Sequence, residues 1–162
     1  MVTEATREHY AAQATDDLAG FQDGLRATYD EPGRSQHTLI GHSYGSTTIG
    51  HTARHEELDV DRMVFVGSPG VGVEHASDLG IDPGNVYATT AENDVIRGTP
   101  QSIHEQQPIA DDFGAVTFAS DPGDSGLLLG KSLGAHSQYW DPNNKALTNM
   151  GRIIAGQAPT GG

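Results

Sequence analysis

A serine, an aspartate and a histidine, met in that order at Ser43, Asp94 and His136, are the residues best suited to chemistry in this chain. Ser43 is boxed by glycines in Gly41-His42-Ser43-Tyr44-Gly45, directly after the apolar run Thr38-Leu39-Ile40. A serine between a strand and a helix, with glycine two residues to either side, fits the G-x-S-x-G elbow. There a strained backbone lifts the hydroxyl over the edge of a sheet. Bulk at either flanking position is expected to drive the strand into the helix. The backbone N–H of Tyr44, in the first turn of the helix, would point to where an oxyanion forms, and the helix terminus favours that charge.

A serine hydroxyl is a poor nucleophile until a base takes its proton, and a carboxylate must then orient the base. In an elbow of this kind the chain order is serine, acid, histidine. Asp94 lies in Ala91-Glu92-Asn93-Asp94-Val95-Ile96, just past the expected strand Asn85–Thr90. Glu92 is a rival two residues nearer. Asp94 is favoured because the apolar pair Val95-Ile96 would pack and fix it. His136, in Gly134-Ala135-His136-Ser137-Gln138-Tyr139-Trp140, precedes the last helix and is the expected base.

The other histidines carry weaker signals. His51 and His55 stand four apart on a helix, but no third ligand is evident and a surface pair is the simpler reading. His42 is expected to pack beside the serine or bond to it. Gly67-Ser68-Pro69-Gly70-Val71-Gly72 follows a strand without a G-x-G-x-x-G or G-K-[ST] pattern, so it reads as a pocket wall and not a phosphate cradle.

The elements that must position these groups follow from periodicity. Tyr10, Ala14, Leu18, Phe21, Leu25 and Tyr29 recur at helical steps and predict a helix over residues 3–30 with that face inward. Short apolar runs predict strands at Thr38–Ile40, Met63–Val66, Asn85–Thr90 and Ala115–Ala119. Helices are expected over Tyr44–His55, Glu74–Leu79 and Asn143–Gln157, the last with Ala146, Leu147, Met150, Ile153 and Ile154 inward. Strands alternating with helices argue for a parallel sheet between helical layers, with ligands at the C-terminal strand ends. The loops Arg97–Gly114 and Asp121–Gly134 would lie over that edge, the second as a lid.

Bulk composition bounds the partners. The 162 residues suit one domain. Nine basic against 22 acidic residues leave a formal charge of −13, which repels nucleic acid and anionic lipid. Cysteine is absent, which excludes disulfides and thiolate metal sites. No run approaches the roughly 18 apolar residues of a membrane span. The N-terminus lacks the layout of a signal peptide, so a cytoplasmic location is expected.

Taken in order, GHSYGS, VFVGSPGVGV, the A-x-x-D-x-I loop, DFGAVTFASDPG and AHSQYWDP resemble an actinobacterial α/β-hydrolase family of uncharacterised physiological function. The resemblance runs from about Tyr10 to Gly156. It implies a three-layer α/β sandwich with a parallel sheet, Ser43 as nucleophile, Asp94 as acid and His136 as base. Members of that family carry a long region ahead of the first helix seen here, and nothing upstream of Thr38 reads as a strand. The expectation is therefore a single, partial α/β-hydrolase domain over residues 1–162, apparently truncated at its N-terminus. Its first strand would form an open edge, and only the Tyr44 donor of the oxyanion hole would be accounted for. Absence of one such donor typically costs ~10²–10³ in rate.

The expected function is cleavage of a small-molecule acyl ester through an acyl-enzyme, with no metal or organic cofactor. Val71, Val73, Ile96, Tyr139 and Trp140, with Leu127–Leu129, would line an apolar acyl site. The alternative is a catalytically weak or inactive truncated hydrolase that acts as a binding or interaction module and self-associates through the open sheet edge, where the expected partner is a second copy or a missing N-terminal segment.

Overall fold

The computed structural model describes residues 4–30, 32–98, 106–126 and 130–161, with side chains from residue 14 onward. Helix α1 (Glu4–Ala27) leads into strand β1 (Thr38–His42) and helix α2 (Tyr44–His55). Strands β2 (Arg62–Val66), β3 (Val86–Thr89) and β4 (Val116–Thr117) follow, and helix α3 (Lys145–Ile154) comes last. The sheet has the order β1-β2-β3-β4 with every neighbouring pair parallel, so all the strand C-termini share one edge. Among the described residues β1 is the outer strand and pairs only with β2.

Strand residues alternate between two faces, and two apolar layers form accordingly. Leu39, Met63, Phe65, Val86 and Ala88 face one layer, which packs against Leu18 and Ala19 of α1 and Ile49 of α2. Ile40, Val64, Val66 and Tyr87 face the other, against Ala146, Met150 and Ile153 of α3. This is the three-layer α/β sandwich expected from the sequence.

Several local expectations differ from the structure. Among the described side chains of α1 the buried ones are Thr15 and Gln22, whereas Phe21 is 66 % exposed and Leu25, with Tyr29 just past the helix, is exposed too; the Tyr10 side chain lies outside the described residues. Polar anchoring sets the rotation of the helix. Gln22 donates from Nε2 to the Asp59 carbonyl at 2.7 Å and accepts the Asp59 N–H at 3.3 Å. Arg26 donates to the same carbonyl at 2.7 Å and to the Ser35 carbonyl at 2.6 Å. Four bonds to the segments flanking β1 and β2 outweigh an apolar stripe. The Glu74–Leu79 helix contracts to a 3-10 turn at Ala76–Leu79, and Leu147 and Ile154 of α3 face outward while Asn149 is buried.

The opposite end of the sheet is tied by charge. Arg26 pairs with Asp59 at 2.9 Å and with Asp61 at 3.3 Å, and Arg34 pairs with Asp59. Burial raises the Asp61 carboxyl, but the His37 N–H and the charges of Arg34 and Arg26 outweigh it and hold the group below the usual carboxylate range. A cavity of about 670 Å³ opens among these charges, remote from the C-terminal strand ends. Among the described residues no helix is long and apolar enough to cross a membrane.

Candidate active site

Ser43 joins β1 to α2 with φ 54° and ψ −127°, a left-handed conformation rare for a residue with a side chain. Several bonds hold it there. Its N–H donates to the Val66 carbonyl at 3.0 Å, and its own carbonyl accepts the Ser46 N–H at 3.1 Å. The Ser46 hydroxyl lies 2.5 Å from that carbonyl and 2.6 Å from the Ser68 hydroxyl, beyond the end of β2. A Cβ on Gly41 would sit 2.6 Å from the Ser46 Cα, so strand and helix do require a bare position there. Gly45 is different: a Cβ there meets nothing within 4 Å, and the expectation of a steric need two residues after the serine does not hold. Tyr44 is the first residue of α2, so its N–H is one of the first-turn donors.

Asp94 follows β3 and is fully buried. A buried carboxylate needs donors on its oxygens, and three groups supply them. The Ile96 N–H donates to Oδ1 at 2.8 Å, the Tyr139 hydroxyl donates to Oδ2 at 2.5 Å, and His136 Nδ1 lies 3.0 and 2.9 Å from the two oxygens. Burial raises the Asp94 carboxyl, but the bonds from His136, Tyr139 and Ile96 together prevail and hold it below the ordinary range. A carboxylate only accepts, so Nδ1 carries the ring hydrogen, and in the neutral ring Nε2 keeps the lone pair. Ile96 thus holds Asp94 through its backbone N–H. Glu92, the rival acid, is exposed, and its carbonyl accepts the Lys131 ammonium at 2.5 Å.

His136 sits in the 3-10 helix Ala135–Trp140. His42, beside the serine, donates from Nε2 to the His136 carbonyl at 2.7 Å. The two imidazoles lie with centroids 4.7 Å apart and their planes tilted by 35°, and the rings of Tyr139 and Trp140 meet His42 edge-on at 5.8 and 6.0 Å. Beneath them Gly67, at φ +54°, leaves room that a Cβ would fill, 3.0 Å from Asp94 Oδ2 and 3.2 Å from the His136 ring. Gly67 follows Val66, the residue that accepts the Ser43 N–H. The ends of three neighbouring strands therefore meet around one histidine. Among the described residues no hydrogen bond joins the Ser43 hydroxyl to that ring.

The expected acyl-site residues separate. Val71 and Val73 are buried in the core with Ile49, and Tyr139 is buried with its hydroxyl on Asp94, so these three do not line an open pocket. Ile96 is half-buried and Trp140 is 43 % exposed. Leu127–Leu129 lie outside the described residues. A cavity of about 330 Å³ lies beyond the Asp94 turn, among Thr90, Glu92, Arg97 and Phe118, and touches neither Ser43 nor His136. The described part of the loop 121–134 is bonded to residues beside Asp94 and His136. Asn93 donates to the carbonyls of Pro122 and Gly123, the Ser132 N–H donates to the Asn93 carbonyl, and the Asp124 N–H donates to Gln138. The His51 and His55 rings lie 4.5 Å apart on α2, and among the described residues no group of three metal-ligating side chains gathers.

Sequence reasoning missed Tyr139 as a hydrogen-bond partner of Asp94, Gly67 as the floor and the Ser46–Ser68 brace. One signal was present: Tyr139 stands three residues after His136, and in a 3-10 helix such residues share a face.

A family model described as alpha/beta hydrolase matches residues 1–103, a span that contains Ser43 and Asp94 and ends before His136. Uncharacterised proteins of Mycobacterium bovis and Mycobacterium tuberculosis are each 38% identical over 90 residues, 55% of this chain and 33% of theirs. A second uncharacterised protein of Mycobacterium tuberculosis is 29% identical over 162 residues, 86% of this chain and 24% of its own. The chain thus spans a third or less of the length of these relatives. No solved structure matches it significantly.

Proposed function

The chain belongs to an alpha/beta hydrolase family, and from that premise we propose that it is a serine hydrolase that cleaves an acyl ester through an acyl-enzyme on Ser43. The Ser43 oxygen attacks the ester carbonyl while its proton passes to His136 Nε2. The oxyanion takes the Tyr44 N–H at the start of α2. Collapse expels the alcohol, which recovers the proton from His136 and leaves an acyl ester on Ser43. Water, deprotonated by His136, then releases the acid. Asp94 holds the ring and stabilises its charged form throughout.

The observation that carries this reading is the buried Asp94 carboxylate on His136 Nδ1, which leaves Nε2 to exchange a proton. Proton transfer requires the Ser43 hydroxyl and Nε2 to close to hydrogen-bond distance, a step that bound substrate commonly completes. Exposed Tyr44 and Trp140 beside the elbow offer apolar contact to an acyl chain.

A fluorophosphonate probe with p-nitrophenyl acetate and butyrate tests the proposal. Labelling that vanishes in Ser43→Ala, with turnover of either ester, supports it. A second reading, an interaction module of weak or no activity, is favoured by the outer position of β1 among the described residues, where the side away from β2 could accept another strand. Folded protein that resists the probe and elutes as a dimer would support that reading instead.

A further inference from the structure

We propose that Tyr139 is a positioning residue of this site: its hydroxyl locks the Asp94 carboxylate in register with His136 and takes up part of its charge. The activity arm of the test rests on the serine-hydrolase reading; the geometry does not.

The direction of the tyrosine bond is fixed by its other partner. The Tyr139 oxygen accepts the Ala91 N–H at 2.9 Å, so its single proton goes to Asp94 Oδ2, 2.5 Å away. The ring is buried in the layer formed by Val64, Val66 and Met150. A phenylalanine would fill that volume equally well, so the hydroxyl calls for its own explanation. Burial, joined by the Asp94 carboxylate, pushes the phenol far above its ordinary range, which keeps it a neutral donor. Ala91 and Asp94 close one turn, through the Asp94 N–H on the Ala91 carbonyl at 3.1 Å. Tyr139 therefore grips both ends of the loop that presents the acid.

The charged and titratable groups around this point are few. Asp94 and His136 form the pair, His42 faces both His136 and Tyr139, and Arg97 donates to the Thr90 and Ala91 carbonyls behind the turn. With the tyrosine donor present, the carboxylate shares its charge between a phenol, an amide and the imidazole. Without it, more of that charge falls on the imidazole and favours its charged form over the neutral one. Loss of one hydrogen bond to a buried charge also slows the chemistry, by roughly ten- to a hundredfold.

Two variants of the full chain separate positioning from packing: Tyr139→Phe, and replacement of Tyr139 alone by 3-fluorotyrosine, a more acidic and stronger donor. The readouts are the rate of fluorophosphonate labelling against pH and the low-field proton NMR signal of His136 Nδ1–H, assigned by its absence in His136→Ala. Tyr139→Phe should slow labelling by that factor and move the acid limb of the profile to higher pH. The fluorinated protein should move the limb to lower pH, and the NMR signal should move in opposite directions in the two. Superimposable limbs and an unmoved signal in both would overturn the proposal. If Tyr139→Phe fails to fold, the fluorinated protein decides alone, by a shift or its absence. If wild type resists the probe, the serine-hydrolase reading fails, and the NMR signal still decides the role of Tyr139.

Discussion

Replacing Ser43 by glycine should raise the melting temperature of this protein while abolishing its turnover. The serine backbone is held at φ 54°, ψ −127°, a region glycine occupies freely and other residues at a cost of about 1–3 kcal/mol. Glycine removes that strain but adds about 0.5–1 kcal/mol of backbone entropy to be lost on folding. The net gain is roughly 1 kcal/mol, or about 2–4 °C for a chain of this size. Ser43→Ala removes the same hydroxyl but keeps the Cβ, so it should melt near wild type. Gly45 supplies the control two residues on. There the Cβ position is open, and Gly45→Ala should stabilise α2 by about 0.5–1 kcal/mol. Glycine should thus exceed alanine at position 43 and fall below it at position 45. Calorimetry of the four proteins reads both differences. A Ser43→Gly protein that melts at or below Ser43→Ala would show that the elbow stores no strain, and the account of why the hydroxyl stands where it does would fail.

Other predictions concern the acid and its floor. Asp94→Asn should lower ester turnover by about 10³-fold or more with the fold intact, because an amide cannot both accept from Nδ1–H and carry the balancing charge. Glu92→Gln should change turnover less than twofold, since the Glu92 side chain is exposed; equal losses would reverse the choice of acid. Gly67→Ala should destabilise by about 1–3 kcal/mol, through its positive φ and the close approach to Asp94 and His136, and denaturant unfolding measures the change. Asp94 and Asp61 both have folded-state values below the ordinary 3.8, so their contribution is fully present above about pH 4 and is lost as pH falls through the lowered values. The melting temperature should therefore hold from pH 7 to 5 and drop below about pH 4. Asp94→Asn should lose less over that lower interval than wild type.

Much of the fold was legible in the residues. Strand β2 is apolar from Met63 to Val66 because both of its faces are covered, as a buried parallel strand requires. The elbow was legible because glycine stands two residues to either side of a serine that directly follows an apolar run, and the Ser46 Cα lies where a Cβ on Gly41 would go. The choice of Asp94 and His136 rested on the chain order serine, acid, histidine and on positions just past expected strand ends, which fall on one edge of a parallel sheet. The rotation of α1 was not legible, since Gln22 and Arg26 bond to carbonyls that only the folded chain brings near. The roles of Val71, Val73 and Tyr139 were misread for the same reason: an apolar or aromatic residue near a strand end faces either the core or the solvent, and the sequence spacing is alike for both. Local patterns set elements, their order and the strained corner, because these depend on neighbours in the chain. Tertiary packing decided which donors reach the Asp94 oxygens, because the His136 and Tyr139 donors come from a segment more than 40 residues away and meet the acid only once the sheet has closed its layers around it.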